Sequence, residues 1–311
     1  MLHAFLLHML LASSAPLPQD AAGDGAPPAA EKRPEGIAAH SFRWAQAADG
    51  SWILVARVDP APGWHVYWMN PGDSGNPPSF ELSLPAGWRA GRTVFPRPEA
   101  KSMDGGVFYG YSRAVHYLVP VKRTDALSRD TWPGGDGGGA GDTWKVRAKV
   151  MACKERCTMA TLAASGNWPP TAEAGTGLVL DGGSIGGRSL PATAASAGVF
   201  ARLDAGKVRI EGPSQGHGTV RFIPAAVPGM QVDLPGGAVG LDATVQGDRF
   251  TLKFALQGAG QGPGEPAVAG LLLFGNSPSD PCVWLSIPHP LAGPDGQSGG
   301  AGASDGSGAT K

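Results

Sequence analysis

Cysteine is scarce in this chain: three residues in 311, two of them close together at Cys153 and Cys157. Net charge is scarcer still. A formal charge of −1 gives no global field to draw the protein to nucleic acid or to an acidic membrane surface. After the first residues no stretch approaches the ~20 apolar residues that span a bilayer. No repeat of roughly 33 to 47 residues recurs, which excludes a solenoid or a propeller. The glycine run GGDGGGAGD (134–142) lacks the Gly-Lys-Ser/Thr ending and the following helix of a phosphate loop, and is expected to join two strands. No further Cys or His stands near the cysteine pair at zinc-ligand spacing. Ser74, His65 and Asp73 make a hydrolase triad only on paper, because nothing resembles a nucleophile elbow.

What is abundant is glycine (48) and proline (29), together about a quarter of the residues and unevenly spread. The start, MLHAFLLHMLLASSAP, has the length of a signal peptide and ends in small residues, with Ala15 as the cleavage residue. It departs from the pattern in two ways: no Lys or Arg precedes the run, and Pro16 follows the cleavage residue. The expectation is a signal peptide over 1–15, a linker over 16–35 and an exported product, soluble or tethered only at its N-terminus. In that compartment disulfides persist. The end, 291–311, is nearly all Gly, Ser, Ala and Asp and is expected to be a disordered tail.

Between these ends the hydrophobic period is two. TWKVRAKV points Trp144, Val146, Ala148 and Val150 one way and Lys145, Arg147 and Lys149 the other. SWILVARV does the same with Trp52, Leu54, Ala56 and Val58, and AVHYLVPVK with Val115, Tyr117, Val119 and Val121. After a Gly- and Ala-rich spacer, expected to be a linker over 171–197, strand signals resume in KVRIEG, TVRFIP and DRFTLKFALQ. There Phe250, Leu252, Phe254 and Leu256 share a face. AVAGLLLFG is expected to be a fully buried strand and CVWLSI the closing one. The fold class is therefore all-β, with two β-sandwich domains at 36–170 and 198–290.

The chemistry centres on MACKERCTM. Three residues separate Cys153 from Cys157, so a turn brings them within disulfide reach, whereas one extended strand holds them apart. Lys154 and Arg156 favour thiolate and Glu155 opposes it. A loop this short removes little unfolded-state entropy, so the bond is a poor staple. Spacing alone leaves three readings open: a passive surface disulfide, a redox couple, or a Cu(I) site built from the sulfurs of Met151, Cys153, Cys157 and Met159. Cys282 opens an apolar strand and is expected to be a buried core thiol. His65 and His116 are expected to be structural. A dense aromatic cluster, Trp64, Tyr67, Trp68, Phe108, Tyr109 and Tyr111, lies among Gly and Pro, where aromatics can shield a reactive disulfide from stray thiols.

Three stretches in order, GWHVYWMNPGDSGNPPSFEL, FPRPEA followed by GGVFYGYSRAVHYLVPV, and VRAKVMACKERCTMATL, resemble the N-terminal domain of the thiol:disulfide interchange protein DsbD family. The likeness is especially to the longer form found in copper-tolerance relatives such as ScsB. The likeness runs from Ile37 to Trp168, and VRFIPAAVPGMQVDL with its sequel is similar to the second half of the longer form. The resemblance implies an immunoglobulin-like fold for each half and makes Cys153 and Cys157 the redox pair. It implies a cap loop, Phe108, Tyr109 and Gly110, with Phe108 at its tip, and an active-site tyrosine at Tyr67. Gly106 and Val107 stand where the family has acidic residues, with Asp104 close by, so carboxylate tuning of the thiols is not carried over. The cysteine spacing is three, where the shorter family form has five. Nothing in the sequence matches the family's membrane electron-transfer or thioredoxin-like domains. The implied partners are therefore thioredoxin-like periplasmic proteins and a separate membrane electron donor, with no cofactor beyond the disulfide. The alternative is a non-catalytic copper-binding or protein-interaction module of the cell envelope.

Overall fold

The computed structural model describes residues 33–47, 49, 51–103, 106–124, 143–172, 178–261 and 266–289, and no α-helix occurs among them. The expected signal segment, most of the first linker, the glycine run at 134–142, Asp104 and the C-terminal tail lie outside the described residues.

The first sandwich has strands β1 (Ile37–Gln46), β2 (Trp52–Pro60), β3 (His65–Gly72), β4 (Ser79–Ser83), β5 (Trp88–Ala90), β6 (Glu99–Met103), β7 (Gly106–Tyr111), β8 (Val115–Arg123), β9 (Thr143–Cys153) and β10 (Cys157–Asn167). One sheet runs β1-β2-β8-β5; the other runs β10-β9-β3-β7-β6, with β4 also paired to β9. Along β9 the alternation is the one its sequence dictates: Trp144, Val146, Ala148 and Val150 are buried, and Lys145, Arg147 and Lys149 are exposed. Trp44, Trp144 and Trp168 pack edge to face at the start of this strand, with Trp44 5.3 Å from Trp144 and 5.5 Å from Trp168. The cysteines lie at the strand's other end.

Strands β2 and β8 differ from expectation, because both of their faces are buried. Ile53, Val55 and Leu118, on the face a simple alternation gives to water, are covered by Leu178, Leu180, Ile185 and Leu190. The expected linker over 171–197 is therefore structural from residue 178 onwards. It forms a small hairpin, β11 (Ser184–Ile185) with β12 (Arg188–Ser189), and then a short strand, β13 (Ala192–Thr193), that enters a sheet of the second sandwich. Its leucines and isoleucine supply the apolar surface that holds it down.

The second sandwich comprises β14 (Phe200–Asp204), β15 (Lys207–Pro213), β16 (Val220–Pro224), β17 (Gln231–Val232), β18 (Leu241–Asp242), β19 (Thr244–Gln246), β20 (Arg249–Gly258), β21 (Val268–Phe274) and β22 (Cys282–Ile287). Its sheets run β13-β22-β21-β16-β18 and β14-β15-β20-β17, with β19 also on β20. Every residue of β21 is buried, as its unbroken apolar run requires. Val268, Leu272 and Phe274 face the second sandwich's own core with Val208, Ile210 and Phe250. Leu271 and Leu273, with Ile223 and Cys282, join the core of the first sandwich beside Trp68, Tyr109 and Tyr111. One sheet thus seals both cores.

Polar groups at this junction are paired. Arg97, 3% exposed, donates to the carbonyls of Phe274 (2.8 Å), Gly275 (2.7 Å) and Pro281 (2.8 Å). Arg188 in the connecting hairpin pairs with Glu99 at 2.8 Å. Burial pushes the Glu99 carboxyl up, but hydrogen bonds from Lys101, Arg188 and Ser112 outweigh it and bring the group to about 2. Cys282 is a free thiol, pushed up to about 12 by burial, and is inert at neutral pH. Arg97→Ala leaves three carbonyls at the junction without their donor, so stability should fall by roughly 3 kcal/mol or more, read as a lower urea midpoint. An unchanged midpoint would show that the junction contributes nothing.

Candidate functional site

Strands β9 and β10 pair residue for residue from Thr143 opposite Asn167 to Cys153 opposite Cys157. Lys154, Glu155 and Arg156 make the turn, which is closed by the Lys154 N–H donating to the Arg156 carbonyl at 3.1 Å. Cys153 and Cys157 are joined by a disulfide across the hairpin, with Cα atoms 4.1 Å apart. That separation fits the closer, non-hydrogen-bonded kind of antiparallel pair, at ~4.5 Å. Because side chains alternate, Met151 and Cys153 share the outer face of β9, and Cys157 and Met159 lie opposite them on β10. The two ends of the bond differ: Cys153 is 3% exposed, whereas Cys157 is open to solvent.

Strand β3 covers the buried end. His65 lies opposite Cys153 in the ladder, and Tyr67 follows two residues later on the same face. The His65 Nε2 and the Tyr67 hydroxyl share a hydrogen bond of 3.2 Å. The Phe108 ring, from β7, stands 4.5 Å from His65 and 5.7 Å from Tyr67, both edge to face. Tyr67, Phe108 and Cys153 form one buried cluster, and Met151 packs against it. Two glycines permit this packing. A Cβ on Gly110 would fall 2.6 Å from the Phe108 ring and 2.2 Å from the Val66 carbonyl, so Phe108 lies across a residue without a side chain. Gly75, at φ +96°, lays its backbone on the Tyr67 ring. The chain before it is pinned by Asp73, whose carboxylate accepts the Val107 N–H at 2.7 Å. The Gly- and Pro-rich stretch after β3 is thus a strap over the tyrosine.

Burial holds the His65 imidazole below its ordinary value, with Lys101 adding to the effect and Glu99 opposing it. Burial thus favours the neutral form of the ring beside Cys153. Burial raises the Tyr67 phenol, so it stays protonated. The cation at Arg156 is paired with Glu35, and the Lys154 chain lies along Gly63. The turn therefore brings less unopposed positive charge to the sulfurs than its sequence suggests.

The aromatic cluster of the sequence divides by strand face. Tyr67 and Phe108 face the disulfide. Trp68 and Tyr109, 6.2 Å apart, face the other way, into the core shared with the second sandwich, where the Tyr109 hydroxyl donates to the Val239 carbonyl at 3.4 Å. Residues Phe108, Tyr109 and Gly110 are not a loop: they belong to β7, paired on one side with β6 and on the other with β3. Backbone ladders on both sides fix the cover. Ser74, His65 and Asp73 do not form a triad, since Asp73 holds Val107 and His65 holds Tyr67. The contribution of His65 to the cover was missed in the sequence, although its two-residue spacing from Tyr67 on a strand was the available signal. His116 lies on β8, far along the other sheet. Phe108→Ala should expose Cys153 and speed reduction of the disulfide by dithiothreitol several-fold, followed by alkylation and mass; an unchanged rate would mean that the ring does not shield it.

Residues 35–162 match the family model for the N-terminal domain of thiol:disulfide interchange protein DsbD. Among solved structures, the chain is similar to the N-terminal periplasmic domain of ScsB from Proteus mirabilis, at 14% identity and a TM-score of 0.50, with 79% of this chain and 92% of that one covered. At that identity the likeness is one of fold, and its extent takes in more than the first sandwich. No curated protein matches the sequence. The family model thus covers the sandwich that carries the disulfide at the tip of its β9–β10 hairpin.

Proposed function

We propose that this protein is a thiol–disulfide exchange protein of the periplasm or cell envelope, relaying electrons through Cys153 and Cys157. The observation that carries the reading is the asymmetry of the bond, with Cys157 open to solvent and Cys153 beneath Tyr67 and Phe108. A partner thiolate attacks the Cys157 sulfur, the S–S bond breaks, and Cys153 leaves as a thiolate that takes up a proton. The partner's second thiolate then attacks its own sulfur in the mixed disulfide. The partner leaves oxidised, and Cys157 is released as the second thiol. Two electrons and two protons have moved, and the dithiol reduces a client by the reverse steps. Neutral His65, opposite Cys153, is placed to ease the proton steps.

Thioredoxin-like periplasmic proteins are the partners this chemistry suits, with a separate membrane protein as electron source. No helix among the described residues is long and apolar enough to cross a membrane. The envelope location is supported by the N-terminal apolar run and by the periplasmic origin of the ScsB domain. Replacing both cysteines by Ser should abolish oxidation of a reduced thioredoxin by the protein, and undiminished oxidation would remove the proposal. The reduction potential of the couple should lie between about −180 and −270 mV, as in exchange proteins; a value below about −300 mV marks a structural disulfide.

A second reading has its own support in the register. Met151 stands opposite Met159 and Cys153 opposite Cys157, so the reduced hairpin presents four sulfurs on one face, a soft donor set suited to Cu(I). Cu(I) titrated into the reduced protein against a chromogenic chelator should bind, and Met151→Ala with Met159→Ala should weaken it. Binding that ignores both methionines would exclude this site.

A further inference from the structure

The two edges of the disulfide-bearing sheet are built differently. Edge strand β6 is five residues long and carries Glu99 and Lys101. Edge strand β10 is eleven residues long, CTMATLAASGN, with no charged residue and no proline. Native sheets blunt exposed edges with charge, proline, bulges or brevity, because an unpaired edge is a template for another strand. Strand β10 has none of these, and its ladder to β9 runs without a break in register. Among the described residues no strand pairs with its outer side.

The parity of the hairpin says which backbone groups that edge presents. Cys153 and Cys157 are a close pair, 4.1 Å apart at Cα, and the Lys154 N–H to Arg156 carbonyl bond next to it sets the alternation. Counting by twos, Cys157, Met159, Thr161 and Ala163 turn their N–H and C=O groups away from β9. The first of these residues is the exposed cysteine itself. Met159 beside it is 47% exposed, a large apolar side chain on a face whose next residues, Thr161 and Ala163, are small. Behind the edge, exposed Lys149 and Arg147 stand opposite Thr161 and Ala163.

We infer that the outer edge of β10, from Cys157 to Ala163, is a docking strand on which an extended segment of the exchanging partner pairs, bringing the partner's thiol to the Cys157 sulfur. This rests on the exchange reading above. The occupant is the thiol-bearing partner because the edge begins at the reactive residue: a strand laid along it has its own side chains within reach of Cys157. Behind the edge Lys149 is already paired with Glu81 at 3.8 Å, so the charge offered to an acidic side chain of the partner segment is chiefly that of Arg147. The mode is strand addition, in which main-chain bonds give affinity and neighbouring side chains give specificity.

Proline at an outward-facing edge position removes one donor without touching the β9 ladder. Reduced thioredoxin is the probe, with dithiothreitol as the small-molecule control, on the whole chain. Thr161→Pro should slow exchange with thioredoxin roughly tenfold while dithiothreitol reduces it as fast as wild type, and Thr161→Ala should stay near wild type. Equal thioredoxin rates in Thr161→Pro and wild type would overturn the docking strand alone. So would equal slowing by proline and alanine, which assigns the effect to the side chain. Wild-type self-association that proline abolishes would give the edge to a second copy and overturn the proposal. Failure of thioredoxin to reduce even the wild type would remove the exchange reading, and the docking with it. Should the proline variant fail to fold, amide exchange decides the matter in the mixed disulfide of Cys153→Ser with a single-cysteine thioredoxin. The Met159 and Thr161 amides should be slowed relative to the free protein, and unchanged protection would overturn it.

Discussion

The alternation along β9 is the constraint from which the rest of the site follows. Trp144, Val146, Ala148, Val150 and Ala152 go to the core, which leaves Met151 and Cys153 no choice but the outer face. A slip of one residue would turn five apolar side chains to water and bury the lysines and the arginine between them, so the register is strongly held. Burying even one Val or Leu side chain is worth about 2 kcal/mol, and the strand commits several at once. Strand β9 also contacts β10, β3 and β4. The disulfide and the His65–Tyr67 cover are therefore positioned from a single strand, with the core at one end anchoring the cysteine at the other.

The second sandwich reinforces this arrangement without reaching the disulfide. Its β21 gives Leu271 and Leu273 to the first core, against the inward faces of β3 and β7 where Trp68 and Tyr109 lie. Asn70 on β3 donates to the Pro224 carbonyl at 2.8 Å. The outward residues of those two strands, His65, Tyr67 and Phe108, thus sit on a sheet backed by a second domain rather than by solvent. A cover built on backed strands is stiffer than one carried on a free loop, because moving it means breaking ladder bonds and opening a packed core.

How much of this was legible in the sequence depends on the range of the interaction involved. The alternation of β9 was plain, since one face meets the core and the other meets water. The buried run of β21 was plain as well, although it does not say what lies on each side. The second burial of β2 and β8 was hidden, because the covering residues, Leu178 to Leu190, lie far along the chain in a stretch whose Gly and Ala content suggests a spacer. The division of the aromatic cluster was hidden for a related reason. Tyr67 and Trp68 are neighbours in sequence and opposites in space, and only the strand assignment separates them. His65 was undervalued because its two-residue spacing from Tyr67 acquires meaning only once Cys153 is known to lie opposite it.

In the exchange proposed above, the cover and the open edge are two halves of one selective device. Tyr67, Phe108 and His65 close the disulfide from the β3 side, where a small thiol would otherwise reach Cys153. On the β10 side nothing among the described strands closes it, and the sulfur presented there is that of Cys157. Thiolate attack needs access to one sulfur and a stable departure for the other. Here Cys157 lies open at the sheet's edge, and Cys153 lies beneath Tyr67 and Phe108, opposite His65 in the ladder. A stray thiol gains little from the exposed sulfur alone. On the docking proposed above, a protein that also lies along the edge gains contact area in the same step, so discrimination between the two would arise from the geometry of a hairpin end and require no moving part.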